Sequence, residues 1–564
     1  MIPDQLLKHV FVFILLLLSG QKFNQAKPTE HIQFTDVTEE ANISFQHQDG
    51  REGKKYFIET IGSGCAFIDY DNDGNLDIYL VNATSVRKEN TEKASGNRLY
   101  RNTGEGKFVD ITTSAGVGDT GYGTGISAGD YDNNGFIDLY ITNFGTNVLY
   151  KNNGNGTFTN VTQSAQVEGS QWSAGSSFGD YDRDGDLDLY VTNYCNFRVE
   201  NHQPCIHKGI NGSNIQVYCP PEQFAGVSDI LYQNNGNGTF TDVTKESGLY
   251  NPIGRGMSPI WSDYDNDGDL DLFVANDATE NFLYQNDNNG RFSNVAWITG
   301  VASDMNGDLQ GCMGLDLADY DNDGDFDLIM TNFQKQVNVF YRNEEYVFFN
   351  DISFSIGLGF TLPYVSWGTG LVDLNNDGFR DLFVANGHTQ DVIEQYDTGS
   401  SYLQPNHLLI NDRRGGFVKT ESIPKEMKAS RGVAFGDYDN DGDMDILISN
   451  AHDRPTLLRN DSETDNHWLI VKTIGTQPTS ASNRDGIGAK VRIITKNQTL
   501  ISEVRSGSSY MSQNDMRVHF GLGKDLKQID LLEVSWPSGT VDRLNNIALD
   551  TIVYIKEGVS QLTK

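Results

Sequence analysis

The chain has 564 residues, with 77 Asp and Glu against 42 Lys and Arg, and a formal net charge of −35. That balance excludes nucleic acid as a partner, because a phosphate backbone is bound through Lys and Arg, and it excludes electrostatic docking on anionic membranes. An aromatic content of 11% excludes a disordered acidic chain, and five cysteines are too few for a disulfide scaffold.

Lys8 precedes the apolar run Val10–Leu18 (VFVFILLLL). This run is shorter than the roughly 20 residues a bilayer span needs. It fits a secretory h-region with cleavage between Gly20 and Lys27, so residues 1–26 are expected to be a signal peptide. An uncleaved anchor is the rival reading. No later segment approaches 18 apolar residues, so a secreted chain without stable membrane insertion is expected.

A nine-residue pattern then occurs seven times, starting at Asp69, Asp130, Asp180, Asp263, Asp319, Asp373 and Asp437. Such repetition signals a repeat architecture. The first copy reads DYDNDGNLD and the fourth DYDNDGDLD. Acids fall at positions 1, 3, 5 and 9, and Gly stands at position 6, where a tight turn needs left-handed backbone. Hard oxygen donors at this density select Ca²⁺ over thiolate-loving metals. The expected side-chain ligands are Asp69, Asp71, Asp73 and Asp77 in the first loop, and Asp130, Asp132, Asn134 and Asp138 in the second. The third offers Asp180, Asp182, Asp184 and Asp188; the fourth, Asp263, Asp265, Asp267 and Asp271. The fifth offers Asp319, Asp321, Asp323 and Asp327; the sixth, Asp373, Asn375, Asp377 and Asp381; the seventh, Asp437, Asp439, Asp441 and Asp445. The backbone carbonyl of position 7 (Asn75 in the first loop) should complete each set, giving up to seven Ca²⁺. Asn134 and Asn375 should make the second and sixth sites weaker. An EF-hand needs Glu at position 12 and flanking helices; position 12 of the first loop is Leu80. Metal-free Asx turns are disfavoured, because clustered carboxylates repel.

Each copy is followed by an alternating apolar stretch. In most units a strand with an Asn/Gly turn comes next (LYRNTGEG, Leu99–Gly106), then a third short strand (FVDIT, Phe108–Thr112). Four short strands per 50–60 residues match a propeller blade. The seventh unit lacks its FxDVT strand, and an isolated FTDVT (Phe34–Thr38) stands before the first. The expected fold is therefore an all-β, seven-bladed β-propeller over residues 27–462, closed by the N-terminal strand 34–38, which removes an exposed edge.

The third unit carries an insertion, Asn193–Asp229, of the kind that often bears binding. Cys205 and Cys219, beside Pro204, Pro220 and Pro221, are its expected disulfide; Cys195 could compete, and Cys65 and Cys312 read as buried thiols. His202 and His207 flank Cys205 at a spacing poor for zinc. His388 and Asp391 read as loop structure more readily than as rim residues of a ligand site. Eight N-x-S/T sequons (Asn42, Asn82, Asn155, Asn160, Asn211, Asn237, Asn460 and Asn497) are glycosylation candidates only in a eukaryotic host. Residues 463–564 form a distinct β-rich tail that fits a small antiparallel sandwich or barrel. Arg484 and Asp485 are expected as a surface loop pair, and Tyr510 and Trp536 as core.

The loops resemble FG-GAP/VCBS repeats, the blades of integrin α-subunit propellers. The tail motifs NHWLIVK (Asn466–Lys472), NRDGIGAKV (Asn483–Val491), SGSSYMSQND (Ser506–Asp515), VHFGLG (Val518–Gly523) and VSWPSG (Val534–Gly539) resemble the ASPIC/UnbV domain. FIETIGSG (Phe57–Gly64), GCMG (Gly311–Gly314) and the stretch Trp367–His388 are similar to the propeller of that family, which includes cartilage acidic proteins and many bacterial secreted proteins. The resemblance implies a secreted, extracellular calcium-binding propeller that acts as a binding, adhesion or matrix module for an extracellular protein or glycan. The alternative is a secreted enzyme acting on a polysaccharide at the propeller face. No nucleophile–base motif and no open His/Glu metal site supports it, so no catalytic residue is assigned.

Overall fold

The computed structural model describes residues 32–86, 95–476, 482–496 and 498–559. The apolar run Val10–Leu18 and the sequon at Asn497 lie outside them. The structure is all-β and is built on seven repeated four-stranded antiparallel sheets. The first contains Cys65–Ile68, Asp77–Leu80, Arg98–Asn102 and Phe108–Asp110 in that order. The last takes its fourth strand from the start of the chain. Phe34–Asp36 pairs antiparallel with Thr456–Asn460, with Phe34 opposite Asn460.

Burial explains the strand sequences. Second strands such as Asp138–Asn143 and Asp271–Asn276 are buried at every position, because neighbouring sheets cover both faces, and they read as nearly continuous apolar runs. Outer strands such as Phe108–Asp110 and Phe158–Asn160 bury only the Phe. Three-residue edges leave little to template a foreign strand. The first strands lie innermost and pack on one another in sequence order, and Ser430–Gly436 packs back on Cys65–Ile68. This closed cycle is consistent with a propeller.

Two hydrogen-bond series join neighbouring sheets. The Asn that ends each third strand donates through its side-chain amide to the second residue of the preceding aspartate loop. Asn152 reaches the Tyr70 carbonyl at 2.8 Å, and Asn102 reaches Tyr438 at 2.8 Å across the junction of first and last sheets. Position 4 of the loop reaches forward instead. Asn72 donates to the Gly135 carbonyl at 2.7 Å, and Asn440 returns to Gly74 at 3.1 Å. These position-4 residues have left-handed backbone, φ 58° at Asn72 and 60° at Asn440, a conformation Asn tolerates better than most residues.

The tail forms two sheets. Thr499–Glu503, Lys490–Ile494, Ile529–Ser535 and Val541–Ile547 pair antiparallel in that order. The other sheet corrects the antiparallel expectation: His467–Ile474 pairs antiparallel with Val518–Gly523 but parallel with Thr551–Lys556. The two sheets enclose Leu469, Val491, Leu532, Trp536 and Ile555, and this core continues into Tyr131 and Leu189 of the repeat sheets.

Between the two tail sheets, Ser506–Asp515 runs down the axis of the ring and bonds the inner strands of all seven sheets. Gln513 donates to the Cys65 carbonyl (3.0 Å), and the Ile126 amide donates to the Met511 carbonyl (3.1 Å). Ser177 meets Ser506 at 2.5 Å, and the Met511 amide meets Ser258 at 3.4 Å. Leu315 donates to the Ser509 carbonyl (3.1 Å), Thr369 to the Ser509 hydroxyl (2.9 Å), and Asp515 to the Phe435 carbonyl (2.9 Å). A Cβ on Gly64 would stand 1.7 Å from the Met511 carbonyl oxygen, so only glycine fits there. Tyr510 and Trp536 are buried, at 0% and 3% exposure.

The insertion is a strap over the opposite end. Cys205 and Cys219 form its disulfide, and Cys65, Cys195 and Cys312 are free and buried. Its hairpin (Cys205–Lys208 with Asn214–Val217) crosses to the sixth repeat. There Ile210 bonds the Gln395 carbonyl (3.0 Å), and Tyr218 and Gln390 exchange two bonds of 2.9 Å.

Candidate metal centres

Each aspartate loop turns from an inner strand to the second strand, so all seven lie at one end of the ring. Carboxylate oxygens within 4.8 Å of one another unite Asp69, Asp71 and Asp77; Asp130, Asp132 and Asp138; Asp180, Asp182 and Asp188; Asp263, Asp265 and Asp271; and Asp319, Asp321 and Asp327. These are positions 1, 3 and 9. Position 5 stands outside these clusters and uses one oxygen on a backbone amide two residues on, as Asp184 does with Asp186 at 2.9 Å.

The donor set fits a hard cation. Asp69 Oδ1, Asp132 Oδ1, Asp182 Oδ1, Asp265 Oδ1 and Asp321 Oδ1 are buried oxygens without a hydrogen-bond partner. Leaving a buried acceptor unmatched costs about 1–3 kcal/mol, more when it is charged. Burial, with the charge of Asp71, pushes the Asp77 carboxyl up to about 9. Burial, with Asp265, pushes Asp271 up to about 10, and burial, with Asp182 and Asp184, takes Asp180 to about 8. A divalent cation among these oxygens would supply the opposite charge that lets all of them ionise.

Further polar groups surround the loops. The residue before the strand-ending Asn faces position 3: Gln233 donates to Asp182 and Gln285 to Asp265, both at 2.7 Å, while Arg101 pairs with Asp71 at 3.0 Å and Lys151 with Asp132. Sequence reasoning missed this set; its signal was the long polar residue repeated between Tyr and Asn in the LYxN strands. In the sixth loop Arg413 lies 2.7 Å from Asp377, so a guanidinium already neutralises one acid of that site.

The tail covers this end. Lys472 reaches Asp69 at 3.2 Å, Lys490 reaches Asp263 at 2.8 Å, and Arg517 donates to the Asp437 carbonyl at 2.8 Å. Asp485 is not part of a surface pair with Arg484, as expected above. It accepts the Asp130 amide at 2.7 Å, because the tail seats its own loop against the second aspartate loop.

The other sequence candidates are dispersed. His388 is buried, 3.3 Å from Gln334, and Asp391 pairs with Arg51 and Lys55. His202 bonds the Lys54 carbonyl while His207 packs on Tyr396, so the two do not share a site. Buried Ser63 and His47 meet at 2.6 Å and resemble a nucleophile–base pair. His47 Nδ1, however, accepts the His452 amide at 3.0 Å. Nε2 therefore carries the ring proton and donates to Ser63, and it cannot take the hydroxyl proton. Of the sequons, Asn82 and Asn460 are buried.

The FG-GAP-like repeat family matches residues 69–141, 130–191, 225–274, 263–330, 319–384 and 373–448, and the ASPIC and UnbV family matches residues 479–562. Cartilage acidic protein 1 of Xenopus tropicalis is 28% identical over 320 residues, covering 53% of this chain and 44% of that protein. The Homo sapiens protein is 27% identical over 311 residues, covering 53% and 43%. The match thus spans less than half the length of these relatives. A solved structure of an Agrocybe aegerita lectin, described as recognising non-reducing terminal N-acetylglucosamine, is similar at a TM-score of 0.37 and 15% identity. It covers 65% of this chain and 80% of that one, a likeness too slight to argue from. Among the described residues no helix is long and apolar enough to cross a membrane.

Proposed function

The chain belongs to the FG-GAP-like repeat family and carries an ASPIC and UnbV module, and from that premise we propose a secreted, calcium-stapled seven-bladed propeller that serves as an extracellular binding or matrix module. In this reading residues 1–26 are a signal peptide, 27–462 the propeller, and 463–564 a β-domain fused to it. Calcium would be held by positions 1, 3, 5 and 9 of the loops with the position-7 carbonyl, and it would supply charge neutralisation and a fixed loop geometry. The observation that carries the proposal is the recurrence of a buried, unpartnered carboxylate oxygen at position 3 of four loops, with another at position 1 of the first. All-oxygen donor sets in flexible loops suit Ca²⁺ better than Mg²⁺, which demands stricter octahedral geometry. The charge supports it too, since 26 of the 77 acids are aspartates at these positions.

An enzyme working on a polymer at the ring's axis is the weaker reading. The axial loop Ser506–Asp515 occupies the space such a chain would need, and the Ser63–His47 pair has the wrong proton arrangement. The outer rims and the strap are the surfaces left for a protein or glycan partner.

Melting with and without chelator tests the proposal. A ligand bound at 1,000 times its Kd stabilises the native state by about 4 kcal/mol per site. EDTA should therefore lower Tm by about 10 °C or more, and calcium should restore it. An unchanged Tm rejects the stapling role, and robust glycan turnover by the purified chain rejects the binding-module role.

A further inference from the structure

A partly open cavity of about 160 Å³ lies between the tip of the axial loop and the strap. Its apolar walls are Phe57, Tyr194, Met257, Met313, Phe333 and Trp367. The tip of the axial loop lies against these walls, with the Tyr510 hydroxyl 3.2 Å from the Ile61 carbonyl and its ring 5.0 Å from Trp367. Cys219–Glu222 of the strap line the cavity from the other side, held by the Cys205–Cys219 disulfide and the Tyr218–Gln390 bonds.

Two carboxylates line the cavity, Asp277 and Glu222, and no Lys, Arg or His does. Asp277 accepts the Tyr194 hydroxyl. Its other oxygen is approached by Gly311, where an added Cβ would come within 3.0 Å; the glycine keeps that side open. Arg255 is close but uses its guanidinium on the carbonyls of Phe224 (3.1 Å) and Ala278 (3.2 Å). Burial raises the Asp277 carboxyl to about 6; the Tyr194 hydroxyl opposes the rise, Glu222 adds to it, and the nearby Arg255 charge opposes it. At neutral pH it is ionised.

A half-buried carboxylate beside aromatic and thioether walls favours one ligand chemistry. An anion would meet two like charges and no donor cation. A metal ion would find too few hard oxygens. An organic ammonium ion satisfies the carboxylate and the remaining ring faces together, since cations are attracted to aromatic faces by about 0.5–2 kcal/mol each; Trp367 already holds the Arg431 guanidinium 4.1 Å from its ring centre. The size narrows the class, because an engineered cavity of about 150 Å³ takes up benzene. We propose that this cavity binds a small organic ammonium ion with an apolar body about the size of a benzene ring, with Asp277 as its counter-ion and Glu222 on the strap as the second acid. The site goes beyond the calcium reading and stands independently of it.

The test uses the calcium-loaded full chain, titrated calorimetrically at pH 7.5 with benzylamine, benzyl alcohol and benzoate. Benzylamine should bind saturably at one site, benzyl alcohol about tenfold or more weakly, and benzoate not at all. Asp277→Asn should weaken benzylamine about tenfold or more, and Glu222→Gln about threefold. Glu222 is exposed on the strap, so its variant carries the test even if Asp277→Asn fails to fold. Equal binding of the three probes, unchanged affinity in the folded variants, or no saturable benzylamine binding up to about 10 mM would overturn the proposal.

Discussion

The two ends of the ring are closed by opposite chemistries. At one end seven near-identical aspartate loops meet a tail that offers Lys472, Lys490 and Arg517 to them. At the other end a single strap, belonging to one repeat only, covers a chamber walled by aromatic rings. The first end depends on charge and is repeated; the second depends on apolar packing and occurs once. On the proposed calcium reading, the aspartate end should answer to metal and the strap end should not.

The largest expected effect lies on the axis that joins the ends. Gly64→Val should cost about 4 kcal/mol or more in urea unfolding, because its side chain would displace the Met511 carbonyl from the ring. A loss below about 1 kcal/mol would mean that the axial loop is dispensable to the fold.

Acid should act next, through buried imidazoles. Burial holds the His47 imidazole down at about 4, against an ordinary value of 6.5. Because the folded value is depressed, the neutral ring's contribution is complete above pH 6.5 and is lost as pH falls from there through 4. That loss is roughly 3 kcal/mol. Unfolding followed across this range in saturating calcium should show it, and His47→Gln should make the slope shallower without abolishing it, since burial also holds down His388 (about 4), His407 (about 3) and His519 (about 3). An identical slope in the variant would assign the acid lability elsewhere.

Within the aspartate end the comparison sharpens to single loops. Asp265→Ala should lower stability by about 2 kcal/mol and remove one bound calcium. Asp377→Ala should do less than half as much, since Arg413 already neutralises that position. Calcium content after gel filtration, read beside the melting curve, distinguishes the two; equal losses would mean that the sixth loop binds as well as the fourth.

The smallest global effect should come from Cys205→Ser with Cys219→Ser. A closed loop of about fifteen residues is worth about 3 kcal/mol when it unfolds with the whole. The strap can open locally, so Tm should move by less than about 2 °C while trypsin cuts faster at exposed Lys208. A large Tm drop would make the strap part of the cooperative core.

Much of this was legible in the residues. Aspartates at odd positions around a glycine come together because a tight turn points alternate side chains the same way, and positions 1, 3 and 9 do meet. The missing outer strand of the last unit and the spare FTDVT find each other in the Phe34–Asn460 register. Position 5 was harder to read, because a backbone amide competes for its oxygen. Asp485 was misjudged because the sequence shows its neighbours but not the loop of Asp130, 355 residues away, whose amide it accepts.

By itself, then, the sequence determined the repeat unit, the number of repeats and positions 1, 3 and 9 of the acid clusters, all of which rest on copies of one pattern; the structure chose Cys219 over Cys195 as the partner of Cys205. The tertiary structure decided what runs through the ring and what is enclosed. The path of Ser506–Asp515, the glycine demanded at Gly64 and the chamber beside Asp277 depend on contacts between segments that share no period. Gln513 meeting Cys65 across 448 positions has no trace in either neighbourhood, because which distant groups become neighbours is set by how the sheets close, not by the residues beside them.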